Sequence, residues 1–445
     1  MNFIGKPLKI SSDTVSSLHD SRRKEYYERG ISSLKKQELG VLMLAGGLAT
    51  RLGVFGPKGN VKLGLKLEMS LFELFASKII ALQAYIKSLF DKTKKISPNI
   101  TIPWIILTST ETHDTIIAHF DEFEYFGLEK EQIFFITQQN EICRDLSGKI
   151  LYQEPSIPRV SPNGNGGVFC AMRDFKVFEK LSDRGYSNLK YIQFVPVDNL
   201  LSLPCYIEAL GMARINSSYF INICTKRSDP KESVGYCALK KLSTSSDAMH
   251  VKKALSYGGS TISPCIIEYI HVSERLKTMK SVIDFPWANL CLHLVSVDFL
   301  KSIFSISHRL CARSPSHDFL HGGSILHFHT STKIIPFFDT VQQRYVTPTS
   351  PNGTKSEMFL FDILQVIDTD KYGILEVSRE DSFAPVKVRD NIENSLTMLD
   401  KFHHKLADQS GIKLEKGQQF NPCSVYDLDD LLRQKETSRR FEIIE

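Results

Sequence analysis

Residues 41 to 64, VLMLAGGLATRLGVFGPKGNVKLG, place one arginine and one lysine among glycines directly after a short apolar run. If that run is a parallel strand, its carboxyl end presents backbone N–H groups to a ligand that a Cβ would hold away. Arg51 can then offer phosphate a bidentate fork, and Lys58 a mobile point charge. The glycines that would form the cradle are Gly46, Gly47, Gly53, Gly56 and Gly59. Together with the two cations, they could hold a polyphosphate.

Two well-known phosphate loops do not match this stretch. It contains no GxxxxGK[ST] motif, and no GxGxxG followed by an acidic residue about 20 positions later. A purely structural turn remains the alternative, since a strand that ends in two glycines often needs nothing more.

A second glycine-rich stretch, SPNGNGGVF at residues 161 to 169, combines two asparagines with three glycines. Asparagine and glycine are frequent turn formers, so a surface turn is one interpretation. The other is a binding loop, because a backbone with few side chains lets a flat base or a sugar ring rest on it. Asn165 would then supply one donor and one acceptor.

Asp198 follows an apolar run in FVPVDNLL, residues 194 to 201. A carboxylate at the end of a buried strand is costly to desolvate unless it meets a cation or hydrogen-bond donors. One interpretation is an N-cap for a following helix. The other is a ligand of Mg²⁺, which takes carboxylate oxygen and completes its shell with water and substrate phosphates.

These stretches together resemble the nucleotidyltransferases that join a nucleoside triphosphate to a sugar 1-phosphate. AGG-x(2)-TRLG followed by PKG closely resembles their signature loop, in the version of the eukaryotic UDP-N-acetylglucosamine pyrophosphorylase branch. SPNGNGG is similar to the family's PDGNGG, with Asn163 in place of aspartate, and Asp198 stands in its VDN motif. Leu48-Ala49 replaces the usual Gln-Gly, and Gly56 replaces an aromatic residue before PKG.

The resemblance implies a nucleotide site and a set of catalytic residues. The expected nucleotide-binding residues are Leu44, Ala45, Gly46, Gly47, Gln138, Val160 and Gly164. Gln138 matches the family's uracil-reading glutamine, and a carboxamide can both donate to and accept from the uracil imide edge; a register shifted by one would select Gln139. Arg51, Lys58 and Lys387 are the expected catalytic residues, and Asp198 the expected ligand of Mg²⁺ or Mn²⁺.

Farther along the chain, five segments occur in the order of the family's sugar-side motifs. They are DPKESVGY (229–236), CIIEYIHV (265–272), WANLCLH (287–293), NGTKSEMFLFD (352–362) and REDSFAPVK (379–387). By resemblance the sugar-binding residues are Asn165, Glu268, Asn289, Lys355, Phe359 and Phe361. Core packing of the two phenylalanines and solvation of the lysines remain the alternatives. The family's GNIANH reads ANLCLH here, which keeps Asn289 and His293.

The elements that must position these residues follow from hydrophobic periodicity. Apolar strands are predicted at 41–45, 102–110, 133–137 and 190–199, and a helix at about 70–90. Strands separated by helices indicate an α/β fold, which we predict to be a Rossmann-like nucleotidyltransferase domain with a mixed, mostly parallel sheet. Ligands bind such sheets outside the carboxyl ends of the strands. Beyond about 220 the pattern is richer in strands, which suggests insertions that wall a substrate pocket.

Three segments are expected along the chain. Residues 1–36 form a polar helical segment, residues 37–390 the pyrophosphorylase domain with its sugar-binding insertions, and residues 391–445 a small C-terminal domain.

The composition is that of a soluble globular protein of 445 residues, 42% hydrophobic and 24% charged, with a formal net charge of +5. Scattered Lys and Arg argue for anionic small ligands and against a nucleic-acid surface. Nine cysteines without CxxC spacing indicate neither a zinc site nor a disulfide framework. No signal-peptide h-region or membrane-length apolar run occurs. We expect a cytoplasmic protein without nucleic-acid or membrane partners, a monomer, with a dimer as the alternative.

The predicted reaction is the formation of UDP-N-acetylglucosamine and pyrophosphate from UTP and N-acetylglucosamine 1-phosphate, with the UDP-sugar and pyrophosphate as reverse substrates. Another sugar 1-phosphate (glucose, galactose or N-acetylgalactosamine) is one alternative. A non-catalytic nucleotide-sugar binder is the other. Retention of Arg51, Lys58, Asp198 and Lys387 favours catalysis, because a binder need not stabilise a leaving pyrophosphate.

Overall fold

The computed structural model of the chain describes residues 8–10, 14–64, 68–90, 99–255, 257, 260–268, 278–306, 325–437 and 441–444. Part of one predicted motif, residues 269–272, lies outside these ranges.

In the described ranges, a sheet of ten strands organises the fold. The strands are β1 (Val15–Ser16), β2 (Leu39–Leu44), β3 (Trp104–Thr108), β4 (Ile133–Thr137), β5 (Tyr191–Pro196), β6 (Phe220–Lys226), β7 (Tyr236–Lys241), β8 (Ile262–Ile267), β9 (Trp287–Ser296) and β10 (Tyr372–Glu376). Their order is β1-β10-β6-β9-β5-β2-β3-β4, and β7 pairs with β8 and β9. Along this order β9 runs antiparallel to both neighbours and the other pairs are parallel. The predicted mixed, mostly parallel sheet is confirmed.

Both faces of the sheet are buried, because its strands are nearly continuous apolar runs. In β2, Val41 and Met43 contribute to one core cluster and Leu42 to the other. In β3 the same alternation sends Trp104 to the first cluster and Ile105 to the second. The sheet is therefore the middle layer between two hydrophobic cores.

Twelve helices lie in the part of the chain that the structure describes. They are α1 (Arg23–Lys35), α2 (Leu71–Ser88), α3 (His113–Glu122), α4 (Gly167–Asp174), α5 (Val177–Asp183), α6 (Ile207–Asn216), α7 (Asp247–Ala254), α8 (Met279–Asp284), α9 (Val297–Ser305), α10 (Arg379–Ser382), α11 (Ile392–Ser410) and α12 (Leu428–Glu436). The predicted helix at 70–90 is α2, which begins with a capping box between Ser70 and Glu73. None of the helices in the described ranges is long and apolar enough to cross a bilayer.

Among the described residues, short strands outside the central sheet form four smaller sheets. One joins Asn140–Ile142 to Val160–Pro162, and a second joins Phe328–Lys333, Gly353–Met358 and Arg144–Asp145. The third sheet contains four strands, Arg344–Val346, Phe337–Asp339, Tyr152–Glu154 and Ile157–Pro158. The fourth joins Gln419–Phe420 to Ile443–Ile444. The first strands beyond residue 220, which the sequence suggested as insertions, instead extend the central sheet as β6 to β9.

Both end segments pack closely on the central part of the chain. A Cβ at Gly30 of α1 would lie 2.1 Å from the Ile207 carbonyl oxygen, so the absence of a side chain lets α1 approach α6. Near the other end, α11 and α12 enclose a small core around Leu406, Phe420 and Leu431. Domain boundaries at 36/37 and 390/391 remain a prediction.

Of the cysteines in the described ranges, seven are free thiols, whereas Cys170 is bonded in a disulfide.

Candidate active site

The glycine loop begins where β2 ends. Lys58 donates its backbone N–H to the Gly47 carbonyl at 3.0 Å, and Ala49 donates to Gly56 at 2.9 Å, so the loop folds back on itself. Arg51 lies on a single 3-10 turn, Thr50–Leu52. It is exposed, and among the described residues its guanidinium has no ion pair or hydrogen bond. The loop thus presents a free cation beside glycine backbone.

Gln138 faces this loop from the end of β4. Its Nε2 lies 2.7 Å from the position that a Cβ on Gly46 would occupy, and its backbone N–H donates to the Thr108 carbonyl at 3.0 Å. The neighbouring Gln139 instead donates to Asp174 Oδ2 at 3.1 Å. Gln138 is therefore the glutamine beside the cradle, which favours the ungapped register.

Asp198 lies two residues beyond the end of β5 and pairs with Lys58, whose Nζ is 3.0 Å from Asp198 Oδ2. The pair is partly shielded, since the two side chains are 15% and 23% exposed. The next helix, α6, begins at Ile207 with Tyr206 as its N-cap. The N-cap interpretation of Asp198 is therefore wrong.

The segment that carries Lys387 runs alongside Asp198. Val386 donates its N–H to the Asp198 carbonyl at 2.7 Å, and Lys58 Nζ lies 3.4 Å from the Val386 carbonyl oxygen. Lys387 follows directly and is exposed. Three of the predicted catalytic and metal-binding residues, far apart in sequence, thus meet at one place.

The second glycine-rich stretch packs against the end of the Gly353–Met358 strand. Gly164 has a φ of +89°, and a Cβ there would lie 2.5 Å from the Met358 carbonyl oxygen. Asn163 is only 3% exposed, so the surface-turn interpretation is wrong. Asn165 Oδ1 accepts the Leu360 N–H at 2.9 Å, which leaves its Nδ2 group as the donor that could face a ligand.

Glu268, a predicted sugar-binding residue, lies near enough to Lys387 for the lysine charge to act on its carboxyl group. Burial raises the pKa of Glu268 to about 7, while the positive charges of Lys387 and His329 act in the opposite direction. Burial also raises the pKa of the Cys291 thiol to about 12; the negative charges of Glu268 and Asp198 act in the same direction, and the positive charge of Lys387 opposes them. Glu268, Lys387 and Asp198 therefore all lie within electrostatic reach of Cys291.

Asn289 and Cys291 stand at an irregularity of β9. The pairing of β9 with β6 shifts between Ile223 and Cys224, and Cys291 has a φ of +57°. Asn289 Oδ1 accepts the Cys291 N–H at 3.2 Å. A bulge of this kind turns side chains out of the regular alternation, and bulges are frequent beside active sites.

The two predicted aromatic residues have different surroundings. Phe359 is half-buried and stacks on His329 with ring centroids 4.3 Å apart. Phe361 is 7% exposed and belongs to a core cluster. His329 Nε2 lies 2.8 Å from Asp362 Oδ2, which fixes the ring that Phe359 meets.

Leu44 and Ala45 immediately precede the loop, with Ala45 donating to the Leu107 carbonyl at 3.0 Å. Val160 pairs with Ile142, two residues before the turn at 162–167 begins. Lys355 pairs with Ser331 in its small sheet, and no hydrogen bond or ion pair of the described residues joins it to the group around Asp198.

Three residues at this site were not predicted from sequence: His329, Asp362 and Cys291. His329 and Asp362 are 33 positions apart, and neither the strand of His329 nor the 3-10 helix of Asp362 shows a charge or spacing pattern that would pair them. Cys291 lies inside the quoted ANLCLH motif, but only the bulge shows that it shares the site with Asn289.

The donor set at Asp198 fits a hard cation that takes most of its ligands from substrate. Within the described ranges no cluster of three or more His, Cys, Asp or Glu side chains could hold a metal ion. One partly exposed carboxylate suits Mg²⁺, which commonly binds one or two carboxylates and completes its shell with water and phosphate oxygens.

A mostly parallel sheet with a glycine loop, cations and a carboxylate gathered at its strand ends defines this chain as a nucleotidyltransferase. Residues 5–244 match the family described as UTP–glucose-1-phosphate uridylyltransferase. A UDP-N-acetylglucosamine pyrophosphorylase of Saccharomyces cerevisiae is 33% identical over 373 residues, which cover 83% of this chain and 68% of the yeast protein. The chain belongs to this uridylyltransferase family.

A further relative in sequence and two solved structures are also similar to this chain. A UDP-N-acetylglucosamine diphosphorylase of Arabidopsis thaliana is 28% identical over 378 residues, covering 84% of this chain and 66% of the plant protein. The crystal structure of the uridine diphosphate N-acetylglucosamine pyrophosphorylase of Trypanosoma brucei superposes with a TM-score of 0.73 at 21% identity, covering 97% of this chain and 83% of that one. UDP-glucose pyrophosphorylase of Leishmania major gives a TM-score of 0.57 at 14% identity, with coverage of 81% and 65%. The predicted fold is confirmed.

Proposed function

We propose that the protein transfers the uridylyl group of UTP to N-acetylglucosamine 1-phosphate and releases pyrophosphate. The observation that carries this proposal is the meeting of Lys58, Asp198 and the Lys387 segment at one place, with Lys58 also joined to the glycine loop. UTP and a sugar 1-phosphate are the substrates implied by the family description. The N-acetylglucosamine moiety is suggested by the names of the yeast, plant and trypanosome relatives.

The reaction forms one P–O bond and breaks another. A phosphate oxygen of the sugar 1-phosphate attacks the α-phosphorus of UTP, and the bond from that phosphorus to the bridging oxygen breaks to release pyrophosphate. No general base is required, because a phosphate monoester is already ionised near pH 7. The protein's task is to place two anions in line and to stabilise the charge that develops.

The cations of the site divide this task. Lys387 neutralises the attacking phosphate, so that the two anions can approach. Arg51 and Lys58 stabilise the charge that grows on the leaving pyrophosphate. Asp198 holds the Lys58 side chain beside the Lys387 segment through their 3.0 Å contact, and the same carboxylate would hold Mg²⁺. Bound there, a divalent cation supplies further neutralisation of the phosphate charge.

Binding groups surround this centre on both sides. Gln138, beside Gly46, would read the uracil edge, and Gly164 would lie against the uracil. Asn165, Glu268, Asn289 and Phe359 are proposed to contact the sugar, with Lys355 and Phe361 retained from the family resemblance. A pyrophosphorylase for another sugar 1-phosphate would use the same centre with a different sugar pocket.

The test measures pyrophosphate release from UTP with N-acetylglucosamine, N-acetylgalactosamine, glucose and galactose 1-phosphates, in Mg²⁺ and in EDTA. We expect the highest kcat/KM with N-acetylglucosamine 1-phosphate, and no turnover in EDTA. Lys387→Ala should lower kcat by about 10²-fold or more, the scale for losing one preorganised charge partner. Lys401→Ala, which removes an exposed lysine of α11, is the matched control.

Each contrary result has its own meaning. Higher efficiency with another sugar would assign the enzyme to that sugar. Tight UDP-N-acetylglucosamine binding without turnover would make the protein a binder. Near-normal turnover of Lys387→Ala would refute the role given to that lysine.

A further inference from the structure

Arg389 is a second cation on the segment that carries Lys387. It begins the short 3-10 turn Arg389–Asn391. Asn391 anchors this turn, since its Oδ1 accepts the Val388 N–H at 3.3 Å and its Nδ2 donates to the Pro385 carbonyl at 3.1 Å. The backbone from which the Arg389 side chain extends is therefore fixed on both sides.

The guanidinium of Arg389 reaches the glycine loop. Its Nη1 lies 3.7 Å from the position that a Cβ on Gly53 would occupy, so the absence of a side chain at Gly53 leaves this space to the arginine. Gly53, with a φ of +74°, closes the 3-10 turn on which Arg51 lies. Two arginines from distant parts of the chain thus approach the same turn of the loop.

The charge of Arg389 is available to a ligand. Arg389 is exposed, and among the described residues no ion pair or hydrogen bond occupies its guanidinium. Lys58, by contrast, is already paired with Asp198. A leaving pyrophosphate gains negative charge as it departs, and a guanidinium can bind two of its oxygens at once.

We propose that Arg389 binds pyrophosphate, and the β- and γ-phosphates of the triphosphate, together with Arg51 across the glycine loop. The proposal rests on the proposed function for the identity of the reaction, but the anion site itself can be tested without turnover. The proposal adds Arg389 to the catalytic cations Arg51, Lys58 and Lys387.

The experiment is calorimetric titration of the full chain, in Mg²⁺ buffer, with inorganic pyrophosphate and separately with UDP-N-acetylglucosamine. Arg389→Gln should weaken pyrophosphate binding at least tenfold and change the Kd of the nucleotide sugar less than twofold. Arg389→Lys, which keeps the charge but loses the fork, should fall in between. Arg344→Gln, on the exposed strand Arg344–Val346, is the matched control and should bind as the unmodified protein does.

Two results would overturn the inference: an unchanged pyrophosphate Kd in Arg389→Gln, or an equal weakening of both ligands, which would indicate a general structural role. The steady-state KM for pyrophosphate in the reverse reaction gives a second measurement. If the unmodified protein binds pyrophosphate through Arg389 but turns over no nucleotide sugar, the proposed function fails and the anion site stands.

Discussion

At the scale of single residues, the two adjacent glycines of the loop have opposite surroundings. A Cβ on Gly46 would meet the Gln138 side chain at 2.7 Å and the backbone of Thr108 and Ser109 at 3.2 Å. A Cβ on Gly47 would meet nothing within 4 Å. The protein itself requires the first glycine, whereas the second leaves open space that a ligand can use.

We therefore predict that Gly46→Ala lowers both stability and affinity for UTP, because Gln138 must move. Gly47→Ala should leave the melting temperature within about 1 °C, since no protein atom is displaced, yet weaken UTP binding at least tenfold if backbone N–H groups there contact phosphate. Thermal unfolding and UTP titration of both variants check this. Normal UTP binding by Gly47→Ala would show that the open space is not part of the nucleotide site.

Glu268 gives a residue-scale prediction about pH. Burial raises its pKa to about 7 from an ordinary 4.5, so between these values the folded protein binds more protons at this site than the unfolded chain. Its contribution to stability therefore falls as pH rises from about 4.5 to about 7, and stays low above that. If Glu268 binds sugar hydroxyls as proposed, its ionised carboxylate is retained for binding at a cost in stability.

Replacing the Glu268 carboxylate should raise the free energy of unfolding and weaken the binding of the sugar 1-phosphate. We predict that Glu268→Gln is more stable than the unmodified protein at pH 8, by an amount on the order of 1–3 kcal/mol, and nearly equal to it at pH 5. Urea unfolding at the two pH values measures the difference. The same variant should show a higher KM for the sugar 1-phosphate. A difference independent of pH would contradict the assignment of the shift to Glu268.

At the scale of elements, the segment that carries Lys387 is fixed from two sides. Asn199, next to Asp198, donates to the Ser382 carbonyl at 2.7 Å and accepts the Ala384 N–H at 2.8 Å. From α11, Ser395 Oγ donates to the Pro385 carbonyl at 2.8 Å, and Lys405 pairs with Asp381 at 2.7 Å. Helix α11 therefore helps to position Lys387.

We predict that Ser395→Ala lowers kcat about fivefold through the lost hydrogen bond, which is worth about 1 kcal/mol. Thr397→Ala is the control, because this exposed hydroxyl on the same helix bonds only to the Glu393 carbonyl among the described contacts. In a Lys387→Ala background, Ser395→Ala should cause no further loss of kcat, since the two residues act as one unit. Additive losses would show that Ser395 stabilises the fold without positioning Lys387.

At the scale of the whole molecule, much of the architecture follows from sequence pattern. β2 to β5 and α2 could be predicted, because long apolar runs and a 3.6-residue period are strong local signals. The motifs also predicted Lys58 beside Asp198 and Gln138 beside Gly46. Glycine, lysine and aspartate at strand ends have few purely structural uses, which made these motifs informative.

Other parts could not be predicted because they depend on pairing between distant segments. The antiparallel course of β9 is set by its neighbours β5 and β6, and the bulge at Cys291 appears only when β9 is laid against β6. The contact of His329 with Asp362 and Phe359 likewise depends on strand pairing. The sequence around Arg389 gives no signal of its proposed role, because that role depends on its approach to Gly53, more than 300 positions earlier.

The order of strands in the sheet has a consequence for synthesis. β1, near the start of the chain, has β10 as its neighbour, and β10 also covers the free edge of β6. During synthesis, more than 350 further residues must therefore be added after β1 before β1 can pair with β10. Until β10 has been synthesised, the edge of β6 stays unpaired, and a nascent chain halted before that point is open to chaperones and to other unfinished chains.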